Sequence, residues 1–382
     1  MMDIALATTL AGWRRHLHAN PELSLQESET AAFVCDRLAE LGITYQAHVG
    51  GHGVVATLKR GQSNRSVGLR ADMDALPITE TTGLPYASAR PGVMHACGHD
   101  GHTVSLLGAA ALLVQDAEWT GTVQFVFQPA EEGHGGARSM LADGLLERFP
   151  MERIFGYHNW PGLEAGTVAV HPGPLMASAA RVVVELIGHA GHAAMPHLTR
   201  DPMLAAGHVL VALQSVVSRN VDPLEAAVVS ICMVDGGVAP NQIPERVTLR
   251  GTCRTFRPSV TEAVEAGIRR VCAGVAATFG MEHRVEVVHG VSATVNHPAE
   301  AVLAGAAAEA AGIAVRRDLP PSMAGEDFGW FLEQRPGAFV WIGNGPAVEG
   351  RGLHNPGYDF NDAILPNAAT YLASVAKRAL AG

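Results

Sequence analysis

Apolar positions recur along the chain at two different periods. Over residues 3–18, Leu6, Leu10, Trp13 and Leu17 return every three to four positions, which predicts a helix ended by Asn20-Pro21-Glu22. A second helix is predicted over about 28–41, through Ala31, Val34, Cys35, Leu38 and Leu41, stopping at Gly42. Runs at 43–49, 53–58 and 66–70 read as strands. A small-residue helix is expected at 103–116, with strands at 121–127 and 153–157.

From Ser178 the pattern changes. Strand 179–187, helix 201–218, strands 226–234 and 246–256, helix 259–279 and strand 283–289 give the order βαββαβ, a ferredoxin-like arrangement. The chain then returns to its earlier style, with helix 298–311, a short strand near 313–316, strand 338–342 and a closing helix at 361–380. A length of 382 residues exceeds one ordinary core. The expected division is 1–177 and 294–382 for one α/β domain, with 178–293 inserted as a second.

Composition narrows the class. Hydrophobic residues make up 48% and charged residues 17%, so the chain has enough apolar material to fold as a globule. A net charge of -10 without a Lys/Arg block gives nucleic-acid binding no electrostatic support. No apolar run approaches the ~18 residues of a membrane span, and Met1-Met2-Asp3-Ile4 lacks the basic-then-apolar form of a signal peptide. Five cysteines without a CxxC spacing fit a reducing cytoplasm.

The chemistry concentrates in His95-Ala96-Cys97-Gly98-His99-Asp100-Gly101-His102. Cys97 and His99, two apart, would share one side of an extended chain and reach one metal ion. Gln128-Pro129-Ala130-Glu131-Glu132 follows a strand, His158 follows another, and Leu353-His354-Asn355-Pro356 sits in the last long loop. Thiolate, imidazole and carboxylate together suit zinc or a similar transition ion. Five ligands, Cys97, His99, Glu132, His158 and His354, exceed one structural zinc site and suit two ions, with Cys97 as the bridge. Glu131, beside a ligand glutamate, suits a general base. Asp72 and Asp74 follow a buried strand, and one of them is expected to orient a ligand histidine. His192 or His189 could hydrogen-bond a developing oxyanion, and Asn241 and Arg254 could hold a substrate carboxylate.

These stretches resemble the M20 metallopeptidase family. The likeness runs through Arg70-Ala71-Asp72-Met73-Asp74-Ala75-Leu76-Pro77, the histidine cluster, Gln128–Glu132, Gly191-His192-Ala193-Ala194-Met195-Pro196-His197, Gly236–Asn241, Gly251-Thr252-Cys253-Arg254, Met323–Phe328 and Leu353–Pro356, in the family's order. It is strongest to the amidohydrolase branch: hippurate hydrolases, N-acyl-L-amino-acid amidohydrolases and auxin-conjugate hydrolases. The resemblance implies a zinc-exopeptidase-type catalytic domain with a mixed sheet and an inserted βαββαβ satellite domain that forms a homodimer or larger homo-oligomer. It implies two divalent ions, Zn, Mn, Co or Ni, on Cys97, His99, Glu132, His158 and His354. It places the base on Glu131, the acid preceding the metal loop on Asp72 or Asp74, a satellite histidine on His192, and carboxylate contacts on Asn241 and Arg254. Gly188-His189-Ala190 departs from the more usual Gly-Lys-Gly turn.

The expected activity is hydrolysis of N-acyl or N-aroyl amino acids of hippurate type. Alternatives are an N-acetyl-diaminopimelate deacetylase, a small-peptide carboxypeptidase, and a non-catalytic metal- or small-molecule-binding protein.

Overall fold

A computed structural model describes residues 3–381; Met1, Met2 and Gly382 lie outside the described residues. Contacts divide the chain into two units. One comprises Met1–Leu175, Val295–Pro321 and Asp327–Gly382; the other comprises Met176–Thr294 and Ser322–Glu326. Among the described residues no helix is long and apolar enough to cross a membrane.

The first unit is built on an eight-stranded mixed sheet. Its strands in sheet order are Thr44–Val49, Gly53–Arg60, Gly121–Gln128, Ser66–Asp72, Arg153–Pro161, Gly337–Gly345, Val168–Ala169 and Val315–Arg316. The four from Gly121–Gln128 to Gly337–Gly345 run parallel. Their residues are buried almost without interruption. Strands covered on both faces read as continuous apolar runs rather than alternating ones. Parallel strands end along one edge, the edge at which sites form in α/β sheets.

Helix His99–Gln115 is buried along nearly its whole length. A helix apolar all round belongs inside a core. At Gly108 an added Cβ would meet Leu10 Cδ1 at 2.7 Å and Ala369 Cβ at 2.9 Å. Helices Ile4–Ala19 and Leu365–Ala381 therefore press directly on its backbone.

Two local readings need correction. The buried helix starts at His99, not at 103, because Gly98 takes φ 90 and turns the chain straight into it. The polar first turn hid this start, since His99, Asp100 and His102 do not look like the apolar face that follows. The strand read as 153–157 runs on to Pro161. Pairing of His158 with Trp341 and of Asn159 with Ile342 extends it.

The second unit holds an antiparallel sheet in the order Ala227–Gly236, Arg246–Thr255, Ser178–Ile187 and Glu282–His289. Its helices Pro202–Asn220 and Pro258–Thr278 both begin with proline at the first turn, where the missing N–H costs nothing. The Asp201 side chain caps the first of them, accepting from Met203 N at 2.8 Å. Val182, Val184 and Leu186 alternate inward to meet Val209, Leu213 and Ile268. Ser322–Glu326, read from sequence as part of the first domain, groups with this unit. Ala177 N–H explains it, donating to Ser322 O at 3.1 Å and Ala324 O at 2.9 Å.

Candidate metal centre

Asp72 ends its strand and Asp74 follows two residues on, both fully buried. The sequence left their roles undivided, and their partners now separate them. Asp74 Oδ1 lies 3.1 Å from His99 Nδ1, while its Oδ2 accepts from Ser24 Oγ at 2.6 Å and Glu132 N at 2.9 Å. Asp72 accepts from Arg70 Nη1 at 2.8 Å and pairs with His102 Nδ1 at 2.6 Å. Burial opposes ionisation of both acids, but the neighbouring histidines and other polar partners hold them below the usual carboxylate range.

Gly98 breaks the chain between Cys97 and His99. The two side chains converge through a helix start rather than along an extended segment. His99 and His102 share one helix face, with ring centroids 5.4 Å apart. With Nδ1 engaged by Asp74, His99 presents Nε2 to the site. Burial alone would lower this histidine, but the Asp72 charge and the Asp74 hydrogen bond raise it to about 10.

Glu131 and Glu132 leave the sheet edge just after strand Gly121–Gln128. Ala130 before them takes φ 55, a left-handed conformation costly for a residue with Cβ. Its N–H is held by buried Glu27 Oε1 at 2.7 Å. Glu131 Oε1 accepts the N–H of Asp327 at 3.2 Å. His354, at the other side, also has positive φ, 61, and its Nε2 lies 3.1 Å from Glu132 Oε1. His158 Nε2 lies 3.3 Å from Cys97 Sγ.

Donor atoms of Cys97, His99 and His158 lie within 4.8 Å of one another, as do those of Cys97, Glu132 and His354, and those of His99, Glu131 and Glu132. The five residues singled out in the sequence as ligands are thus brought together, with Glu131 beside them. Their fit to metal rests on His99 Nε2, a buried atom that has no hydrogen-bond partner and lies 4.0 Å from Glu132 Oε1. Such an orphan is costly unless a ligand satisfies it. Burial pushes the Cys97 thiol well above its usual range, and the charges of Glu132 and Glu131 push it further. A cation is the group that would make this thiol ionise. Burial, then His102, pushes His158 well down, leaving the neutral ring a metal needs.

The remaining sequence candidates lie in the second unit. His192 is exposed, and its Nδ1 accepts from Ala194 N at 3.0 Å. It pairs with Gln242 beside Asn241, whose carbonyl accepts from Ala193 N at 3.0 Å. Arg254 lies on the sheet opposite Ala179 and Val228; a Cβ on Gly325 would come within 3.0 Å of its Nη1. Sequence reasoning assigned no role to His102, Asn159 or Tyr358. The signal for His102 was its spacing of three from His99, the spacing of one helix face.

Comparison with known proteins identifies the family. Peptidase family M20/M25/M40 matches residues 68–378. Hippurate hydrolase from Campylobacter jejuni is 40% identical, covering 96% of this chain and 95% of its own. N-acetyl-L-cysteine deacetylase from Bacillus subtilis is 41% identical, covering 98% and 89%. The crystal structure of a dinuclear metal binding peptidase of the M20 family from Bacillus subtilis superposes with TM-score 0.88 at 38% identity, covering 99% of each chain. The chain belongs to peptidase family M20/M25/M40 and is a hydrolytic enzyme.

Proposed function

We propose that the protein is a cytoplasmic amidohydrolase that cleaves N-acyl or N-aroyl amino acids of hippurate type. Two divalent ions, Zn, Mn, Co or Ni, would be held by Cys97, His99, Glu132, His158 and His354. The observation that carries this reading is the convergence of those donors around the orphaned His99 Nε2, with Glu131 alongside. Bound ions would supply Lewis-acid polarisation of the amide carbonyl and a nucleophile available near neutral pH. Glu131, oriented by the Asp327 N–H, would take a proton from the attacking water at its carboxylate and return it to the leaving amine. A protein that only binds metal needs no such base. His192, Asn241 and Arg254 are assigned to substrate contacts on their match to the family's motifs, Arg254 by its bidentate fork.

The aroyl reading is supported by a cavity of about 270 Å³ lined by Trp160, Pro161, Ala347, Val348, Gly352 and Leu353. These residues flank His158 and His354 in the chain. Trp341 stacks on Trp160 at 4.0 Å and stiffens that wall. Its lining is mostly apolar, which suits an apolar substituent such as a benzoyl ring. The five free cysteines fit a reducing compartment. Exposed Met233 and Val234 on the edge strand Ala227–Gly236 support a homodimer through the second unit.

The deacetylase relative at comparable identity favours a second reading, removal of acetyl groups. Comparing kcat/KM for hippurate, N-acetylglycine, N-acetylcysteine, N-acetyl-diaminopimelate and small dipeptides decides between them. The aroyl reading expects hippurate to lead by about 10–100-fold, since apolar contacts of one to a few methylenes discriminate on that scale. Preference for an acetyl substrate would replace it with the deacetylase reading.

A further inference from the structure

Asn159 stands at a junction. Its backbone N–H donates to His102 Nε2 at 3.0 Å, and its side-chain Nδ2 lies 3.1 Å from the same nitrogen. Nδ2 also donates to the Cys97 carbonyl at 2.7 Å, and Oδ1 accepts from Tyr358 Oη at 2.7 Å. The Asn159 carbonyl lies 2.6 Å from His158 Nδ1. One residue therefore ties the Cys97 loop to the strand that carries His158.

The hydrogen-bond roles along this chain follow from the one donor that cannot change. A peptide N–H only donates, so His102 Nε2 must be the unprotonated, accepting nitrogen. The proton of neutral His102 then sits on Nδ1 and is donated to Asp72 Oδ1. Asp72 is fixed in turn by Arg70 Nη1 at 2.8 Å, and Arg70 Nη2 reaches Asp327 at 3.0 Å. Beyond the junction, a carbonyl only accepts, so His158 carries its proton on Nδ1 and turns a bare Nε2 toward Cys97 Sγ. His102 also groups with Asp72 and His99 as a set of metal-type donors. Both its nitrogens are already engaged by protein, so it is not a ligand.

We propose that His102 is a positioning residue for the Cys97–His158 pair: anchored by Asp72, it accepts the N–H groups of Asn159 and thereby fixes the carbonyl that sets the His158 tautomer and the loop that carries Cys97. This rests on the ligand assignment above. A merely structural role, satisfying buried Asp72, makes a different prediction. Asparagine at 102 retains an amide near the Nδ1 position, within reach of Asp72, but has no acceptor at the Nε2 position. Glutamine places its amide oxygen near the Nε2 position and retains the acceptor for Asn159.

The test is cobalt(II) binding to metal-free wild type, His102→Gln and His102→Asn, followed by the thiolate-to-cobalt absorption band that reports the Cys97 bond, with thermal unfolding of each protein alongside. His102→Asn should lose about 10–100-fold in cobalt affinity and most of the band, as loss of an orienting partner does elsewhere. His102→Gln should stay close to wild type. Equal behaviour of the two folded variants, or a His102→Asn protein with wild-type affinity and band, would overturn the proposal. Nitrogen-15 NMR of the histidines in the metal-free wild type needs no variant. It should show His102 neutral with the proton on Nδ1; a proton on Nε2 overturns the relay. Wild type that binds no cobalt would count against the metal assignment instead, and the tautomer measurement would still decide the relay.

Discussion

Asp74 Oδ1 lies 3.1 Å from His99 Nδ1, and both side chains are fully buried. Its other oxygen receives the N–H of Glu132 at 2.9 Å. One carboxylate thus orients two residues of the candidate centre, one through its ring and one through its backbone. Asp74→Asn should therefore weaken zinc binding about 10–100-fold. Calorimetric titration of the metal-free protein measures this, and wild-type affinity in the variant would remove Asp74 from that role.

Gly98 is the tightest point of the metal loop. Its φ is 90, and an added Cβ would lie 2.4 Å from Asn159 Nδ2 and 2.5 Å from Tyr358 Oη. Gly98→Ala adds backbone strain and displaces the amide that holds the Cys97 carbonyl. The expected loss is about 3 kcal/mol of stability in urea unfolding, together with weakened metal binding. A variant within about 0.5 kcal/mol of wild type would show that the loop relaxes freely.

Much of this was legible in the sequence, for physical reasons. The helices Ile4–Ala19 and Pro258–Thr278 have apolar positions at helical period, and the parallel strands are short apolar runs. Ligand types announce themselves because thiol, imidazole and carboxylate are otherwise rare together. What could not be read were the relationships that depend on a third element. Asp72 and Asp74 differ only in which histidine each meets. Asn159 looked like a loop residue just past a strand until Cys97, His102 and Tyr358 came around it. His18, left as structural or surface, is completely buried because Asp100 and Glu80 receive it.

That His18 cluster carries a pH prediction. Burial alone would lower His18, but hydrogen bonds to Asp100 and Glu80 raise it to about 9. A raised histidine contributes stability in full below its unfolded value of about 6.5, and loses it as pH rises through about 9. The melting temperature of the metal-free protein should therefore fall between pH 6.5 and 9.5. His18→Gln should flatten that fall and cost about 3 kcal/mol at pH 6, the scale of breaking a buried pair from one side. An equally steep decline in the variant would place its origin elsewhere.

Metal itself should stabilise the fold, because its ligands come from separated segments that only the native state brings together. At a metal concentration 100 times Kd, linkage gives about 2.7 kcal/mol. Adding a chelator to the metal-loaded protein should lower its melting temperature by several degrees and abolish hydrolysis, and re-adding Zn, Mn, Co or Ni should restore both. Unchanged melting after complete metal removal would mean that the centre is not assembled around an ion.

In the proposed mechanism Glu131 moves the proton while its neighbours hold the metal. The most direct measurement follows amino-acid release from hippurate by metal-loaded wild type and Glu131→Gln, with metal content determined on the same samples. Both proteins should hold two ions per chain, and the variant should lose at least about 10²–10⁴-fold in kcat, the usual worth of a general base. A fully loaded Glu131→Gln enzyme that turns over like wild type would contradict it.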